Sequence, residues 1–164
     1  HKKVVFVPLQ VPIDTNVVFN GASNTKLLDF VSGYDEFSVV AKLHPADKWT
    51  NQEMLNKYCE ERGIRILDAP LKNFLAASSA VITMNSQVAI DSLICHMKVG
   101  VIGNAFWKYT DATINDPKSP IDVLLAKSPR SQRIRRFLVA LRLYYLCEAE
   151  QVPKRIEELV GVSN

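Results

Sequence analysis

Short, continuous apolar runs alternate along this chain with stretches that carry apolar residues every three or four positions. Val4-Val5-Phe6-Val7, ended by Pro8, reads as a buried strand. Phe37 to Leu43 reads as a second strand, stopped by Pro45, and Ile64-Arg65-Ile66-Leu67 as a short third. Ala80 to Met84 and Val99 to Ile102 complete the series. Between them the period lengthens to that of a helix. Ser23 or Asn24 caps Leu27, Leu28 and Val31, closing at Gly33. Asn51 caps Met54, Leu55 and Tyr58, with Gly63 as terminator. Pro70 opens a turn or two carrying Leu71, Phe74 and Leu75, and Ser86 caps Val88, Ala89, Leu93 and Ile94. Strands without polar alternation are buried on both faces. The pattern therefore predicts an α/β fold: a Rossmann-like parallel sheet of about five to six strands, helices on both faces, joined by right-handed crossovers.

Two long stretches break the rhythm. Residues 10–21, with Pro12, Asp14, Asn20 and Gly21, read as a loop, and so do residues 104–120, interrupted by Asp111, Asn115-Asp116-Pro117 and Pro120. Pro120 fits the first turn of a helix reaching Leu125. A long helix from Arg133 to Cys147 carries Ile134, Phe137, Leu138 and Leu141, and Pro153 starts a last one through Val160. No repeat or linker interrupts residues 1–164, so one domain is expected: a strand-helix core over 3–103 and a helical part over 119–164. The start at His1, running straight into a strand, suggests a piece of a larger protein, with a processed or renumbered start as the alternative.

Composition narrows the functional classes. At 48% hydrophobic and 23% charged, the chain is an ordinary globular one. A net charge of +3, from 20 Lys and Arg against 17 Asp and Glu, is too mild to argue for nucleic acid but accommodates an anionic ligand. Cys59, Cys95 and Cys147 lie far apart without CxxC spacing, which reads as reduced thiols in a cytoplasmic setting. No apolar run reaches membrane-span length. His1, His44 and His96 are too scattered to suggest a metal triad, so no metal is expected. Neither G-x-x-x-x-G-K-[ST] nor G-x-G-x-x-G follows the first strand, and G-x-S-x-G is missing too, which argues against a P-loop, a dinucleotide fold and an esterase-type nucleophile.

The polar residues that follow the strands carry the candidate chemistry, because ligands of open α/β sheets bind at the carboxyl edge. Lys42-Leu43-His44-Pro45 leaves the second strand with His44 held out of helical geometry by the proline. His44 would donate to a phosphate oxygen or assist a leaving group; the alternative is a surface histidine before a turn. Asn85-Ser86-Gln87, with Asp91 beyond, follows the fourth strand at a helix start. Hydrogen bonds to a charged phosphate are worth about 1.5–3 kcal/mol each, whereas simple capping by Ser86 contributes about 1 kcal/mol and needs no ligand. Gly103 lets backbone approach a ligand, and Phe106, Trp107 and Tyr109 after it either stack on a base or sugar or cover the core. Gln10 and Asp14 follow the first strand and reach the same edge. Lys127 to Arg142 holds six basic residues and no acid; a solvated helix back and a contact with lipid or acidic glycan are both open.

In order and spacing these segments resemble the capsule polysaccharide proteins that transfer β-Kdo. Pro8-Leu9-Gln10 with Asp14, Lys42-x-His44-Pro45, Asn85-Ser86-x-Val88 and Gly103-x-Ala105-Phe106-Trp107 are similar to that family's P-L-Q…D, K-x-H-P, N-S-x-x-G-x-E-A and G-x-A-F-Y. The resemblance spans residues 4–110. It implies the carboxy-terminal, nucleotide-binding half of a GT-B-type glycosyltransferase acting in capsule or lipopolysaccharide O-antigen synthesis. Its donor would be a CMP-activated sugar, CMP-β-Kdo first, and its acceptor a glycan or glycolipid. His44 and Ser86 would contact the CMP phosphate, with Lys42 and Asn85 nearby, and Gln10, Gln87, Asp91, Gly103 and Phe106 complete the expected set. The catalytic acid of such enzymes belongs to an amino-terminal domain that this chain lacks, so no catalytic residue is assigned. The implied setting is cytoplasmic, with peripheral contact at the inner membrane left open. Asp91 for glutamate, Ala89 for glycine, Trp107 for tyrosine, and Cys95-His96-Met97-Lys98 in place of a G-K-P turn depart from the family pattern. A UDP-dependent transferase or epimerase on the same fold, and a non-catalytic sugar- or protein-binding module of a polysaccharide assembly complex, are the alternatives.

Overall fold

The computed structural model describes residues 2–142 except 19, 20, 22, 49, 106, 107, 109 and 110, and leaves the Asn16 side chain aside. The expected helix beyond Arg142, the final helix from Pro153, Cys147 and three loop aromatics (Phe106, Trp107 and Tyr109) lie outside the described residues.

Six parallel strands form the sheet: β1 (Lys3–Pro8), β2 (Phe37–Lys42), β3 (Ile64–Ile66), β4 (Ala80–Thr83), β5 (Lys98–Val101) and β6 (Ile114–Asn115). Their order is β3-β2-β1-β4-β5-β6. Central β1 pairs with β2 through Val5↔Val39 and with β4 through Val5↔Ala80. The helices are α1 (Thr15–Val18), α2 (Asn24–Val31), α3 (Gln52–Glu60), α4 (Leu71–Ala77), α5 (Val88–Ile94), α6 (Pro120–Leu125) and α7 (Ser131–Ala140).

Alternate strand residues face opposite layers. Val5, Val7, Val39, Ala41 and Ile82 pack against Leu27, Leu28 and Val31 of α2, Leu55 and Cys59 of α3, and Val123 of α6. On the other face Phe6, Val40 and Val81 meet Phe74 of α4, and Val99 and Val101 meet Ala89 and Leu93 of α5 with Ile134 and Phe137 of α7. The sheet is thus buried on both sides, as its unbroken apolar runs predict. Gly100 serves this packing: a Cβ there would stand 2.6 Å from Val123 Cγ2.

Several local expectations are corrected. The loop over 10–21 contains the one-turn helix α1, started where Val17 and Val18 donate to the Asp14 carbonyl. The loop over 104–120 contains β6, whose two residues pair with Gly100 and Val101, so the core extends past residue 103. A two-residue strand offers too little apolar sequence to stand out. Met54 and Ile94, expected to face the core, are 70% and 54% exposed, because the burial stripe runs through Leu55 and Cys59 in α3 and through Ala89, Ser92 and Leu93 in α5. The last described helix starts at Ser131, two residues before Arg133.

The topology creates one special place. From β1 the chain crosses toward β2, and from β4 it crosses the other way toward β5. The connections after these two adjacent strands part in opposite directions, and a crevice opens between them at the carboxyl edge.

Candidate functional site

That crevice is a cleft of ≈ 450 Å³. The exit of β1 supplies Gln10 and Asp14, the exit of β2 supplies Lys42 and His44, and the exit of β4 supplies Asn85, Ser86, Gln87 and Asp91. Phe6, Pro8, Leu71 and Val88 add apolar wall. Seven expected site residues (Gln10, Lys42, His44, Asn85, Ser86, Gln87 and Asp91) therefore line one cavity, although up to 81 positions separate them in the chain. Gly103 is not among the lining residues; it follows β5, with φ +87°. Phe106 lies outside the described residues.

Local bonding orients four of the polar side chains, those of Gln10, Lys42, His44 and Ser86. His44 is exposed, and its Nδ1 accepts the Ala46 amide at 3.1 Å while its carbonyl accepts the Asp47 amide at 2.9 Å. With Nδ1 an acceptor, the proton of the neutral imidazole sits on Nε2, which is the nitrogen left for a ligand. Lys42 Nζ stands 3.2 Å from Asp68 Oδ1 and 5.7 Å from the centre of the Phe74 ring. Asp68 is fully exposed, so this pair holds the ammonium only weakly and leaves it available to an anion.

Ser86 is buried, and its Oγ accepts the Val88 amide at 3.3 Å. Its carbonyl accepts the Ala89 amide at 3.0 Å. The residue at the helix cap position is Gln87, whose side chain makes no capping bond, so Ser86 serves the first turn from one position earlier than expected. A serine hydroxyl that accepts one bond still has its proton to donate. Gln10, also buried, accepts the Asn85 amide on Oε1 at 3.3 Å. The amides of Asn85 and Val88 are thereby spent inside the protein, and those of Ser86 and Gln87 make no hydrogen bond among the described residues. Because α5 has only seven residues, an anion placed here would be held mainly by side chains and these two amides.

One residue the sequence reading treated as a candidate cap is built into this arrangement. The Asn24 carboxamide holds both main-chain groups of Gln10, accepting its N–H at 3.0 Å and donating to its C=O at 2.7 Å. Nothing in the local pattern around Asn24 announces a contact with a residue 14 positions earlier. Among the described residues, no group of three or more His, Cys, Asp or Glu could hold a metal ion, and no helix is long and apolar enough to cross a membrane.

Residues 1–148 match the family described as capsule polysaccharide biosynthesis protein. The chain belongs to that family. No curated protein matches it. Among solved structures it is similar to two from Thermosulfurimonas dismutans. The KpsC β-Kdo 2,7 transferase aligns over 83% of this chain with a TM-score of 0.60 at 22% identity. The KpsC β-Kdo 2,4 transferase aligns over 82% with a TM-score of 0.53 at 15% identity. These likenesses concern the fold, a six-stranded parallel sheet with flanking helices. The chain spans 44% and 43% of those structures' lengths. Membership of the family places the chain in capsule polysaccharide synthesis.

Proposed function

We propose that this chain is the donor-binding half of a glycosyltransferase of capsule or lipopolysaccharide O-antigen synthesis. It binds a CMP-activated sugar, CMP-β-Kdo first among candidates, and the sugar passes to a glycan or glycolipid acceptor. The observation that carries this reading is the switch-point cleft, where His44 and Ser86, from turns about forty residues apart, line one cavity with Lys42. Family membership and the fold shared with β-Kdo transferases support it.

Transfer breaks the bond between the anomeric carbon and the phosphate oxygen, so negative charge grows on the departing CMP. Donors aimed at those oxygens bind the transition state more tightly than the ground state. His44 Nε2–H, the Ser86 hydroxyl and the open amides of Ser86 and Gln87 are such donors, and the Lys42 ammonium adds charge. With these groups neutralising the phosphate, the reading needs no divalent cation. The proton-transfer residue that serves the acceptor belongs to the remainder of the enzyme, as does the acceptor site.

Calorimetric titration with CMP, UMP and UDP tests the reading. CMP is expected to bind most tightly, and His44→Ala and Ser86→Ala each to weaken it about 10- to 100-fold, the worth of one hydrogen bond to a charged group. Preference for a uridine nucleotide would assign the cleft to a different nucleotide-sugar enzyme. No nucleotide binding at all would leave a non-catalytic module of polysaccharide assembly.

A further inference from the structure

We propose that Asn24 is a positioning residue of the cleft, acting through Gln10 on the turn that carries Asn85 and Ser86. The inference rests on the nucleotide reading above for what the turn binds, but not for how the turn is held. The regular ladder between β1 and β2 ends where the Leu9 amide donates to the Lys42 carbonyl at 2.9 Å. Gln10, one residue further, has left the sheet, and Asn24 takes the place of a neighbouring strand by pairing with both its N–H and its C=O. A backbone N–H can only donate and a carbonyl can only accept, so the Asn24 carboxamide has one possible orientation. The same argument fixes Gln10: its Oε1 must face the Asn85 amide.

The result is a chain of bonds from the first residue of α2, through the exit of β1, to the exit of β4. Helix capping does not require it, because Ser23 already supplies the cap by accepting the Lys26 amide at 3.2 Å. Asn24 itself is not among the residues lining the cleft. Among the described residues its side-chain bonds therefore reach the cleft through Gln10. Gln10 keeps one further capacity: its NH₂ has no partner among the described residues and is a donor on the cleft wall.

Hydrogen–deuterium exchange on the ligand-free intact protein tests the mechanical part, and titration with CMP and with cytidine tests the functional part. Asn24→Ala is expected to speed exchange at the Asn85 amide about tenfold, the worth of about one hydrogen bond. It should weaken CMP about three- to tenfold and leave cytidine unchanged, because the displaced turn faces the phosphate. Asn24→Asp keeps the acceptor for the Gln10 amide and loses the donor to its carbonyl, so it should fall between Ala and wild type, and it serves if Asn24→Ala fails to fold. Unchanged exchange at Asn85 in a folded variant overturns the proposal. Equal losses for CMP and cytidine overturn it too, since a merely structural residue would not distinguish them. If the wild type binds neither ligand, the nucleotide reading falls, and the exchange result alone decides whether Asn24 holds the turn.

Discussion

Two hollows of the same volume, ≈ 450 Å³ each, mark this protein, and they are built in opposite ways. The cleft at the carboxyl edge collects polar groups from three strand exits, and the side chains of Gln10, His44 and Ser86 are tied there to backbone amides. The groove between α5 and α7 is lined by these helices, the turn after α5 and Arg142 just beyond α7; Ile94, Leu138 and Val139 are among its apolar residues, and Arg135 and Arg142 bring positive charge. Volume therefore does not separate the proposed binding cleft from the other hollow. What distinguishes them is that the topology brings distant, chemically specific segments onto one edge in the first case, while the second lies beside two helices that share one apolar cluster. Variants that act on one hollow, or on neither, test whether this contrast is real.

The largest effect is expected beneath the cleft. Phe74 is buried in α4, stacked on Phe6 with ring centres 4.6 Å apart, and lies under the Lys42 ammonium. Phe6 is itself part of the cleft wall. Phe74→Ala should cost about 3–5 kcal/mol in urea unfolding, the range for removing a buried aromatic ring. It should also weaken CMP, because the floor that supports Lys42 and Phe6 is gone. A stability loss with unchanged affinity would show that the cleft is independent of the core below it.

Beside the groove the expected effect is smaller and of opposite sign. After α5, the Met97 amide donates to the Ser92 carbonyl and the His96 amide to the Leu93 carbonyl, both at 2.9 Å, the two bonds of a Schellman ending. That ending puts His96 at φ +57°, in the left-handed region where a side chain costs about 1–2 kcal/mol. The unusual Cys95-His96-Met97-Lys98 segment thus keeps a geometry that favours glycine. His96→Gly should raise stability by about 1 kcal/mol, after the entropy glycine loses on folding. Thermal unfolding would show this as a rise of about 2–4 °C. CMP affinity should not move, and a change in it would mean the hollows are coupled.

How much of this was legible in the sequence follows the same contrast. The strands could be read because burial on both faces demands unbroken apolar runs, and the cleft residues because they directly follow those runs. Register and bonding were not legible. That Gln10 spends its side chain on the Asn85 amide, and that Asn24 clamps Gln10, depends on a crossing of segments which no local pattern encodes. Helix faces were misread where an apolar residue sits one step off the burial stripe, as Met54 and Ile94 do. β6 escaped because Ile114 and Asn115 are strand only by virtue of β5 beside them.

A polar cluster that lines neither hollow supplies the finest test. Asp29 of α2 accepts the Tyr58 hydroxyl at 2.6 Å and the Arg62 Nε–H at 2.8 Å, and the guanidinium lies 3.5 Å from the centre of the Tyr58 ring. The Tyr58 hydrogen bond first, and the Arg62 bond second, hold the Asp29 carboxyl below its ordinary range. A carboxyl whose pKa is depressed on folding stabilises the fold at pH values above its unfolded pKa of about 3.9, and that contribution fades as pH falls through the lower folded value. Asp29→Asn should therefore be measurably less stable than wild type in urea at pH 7. The difference should shrink as the wild-type carboxyl protonates below about pH 4. Because the cluster is exposed, the effect at pH 7 should be the smallest of the three. CMP affinity should be untouched throughout. If it fell with Asp29→Asn, polar groups would matter to the ligand wherever they lie, and convergence on the switch-point edge would lose its explanatory force.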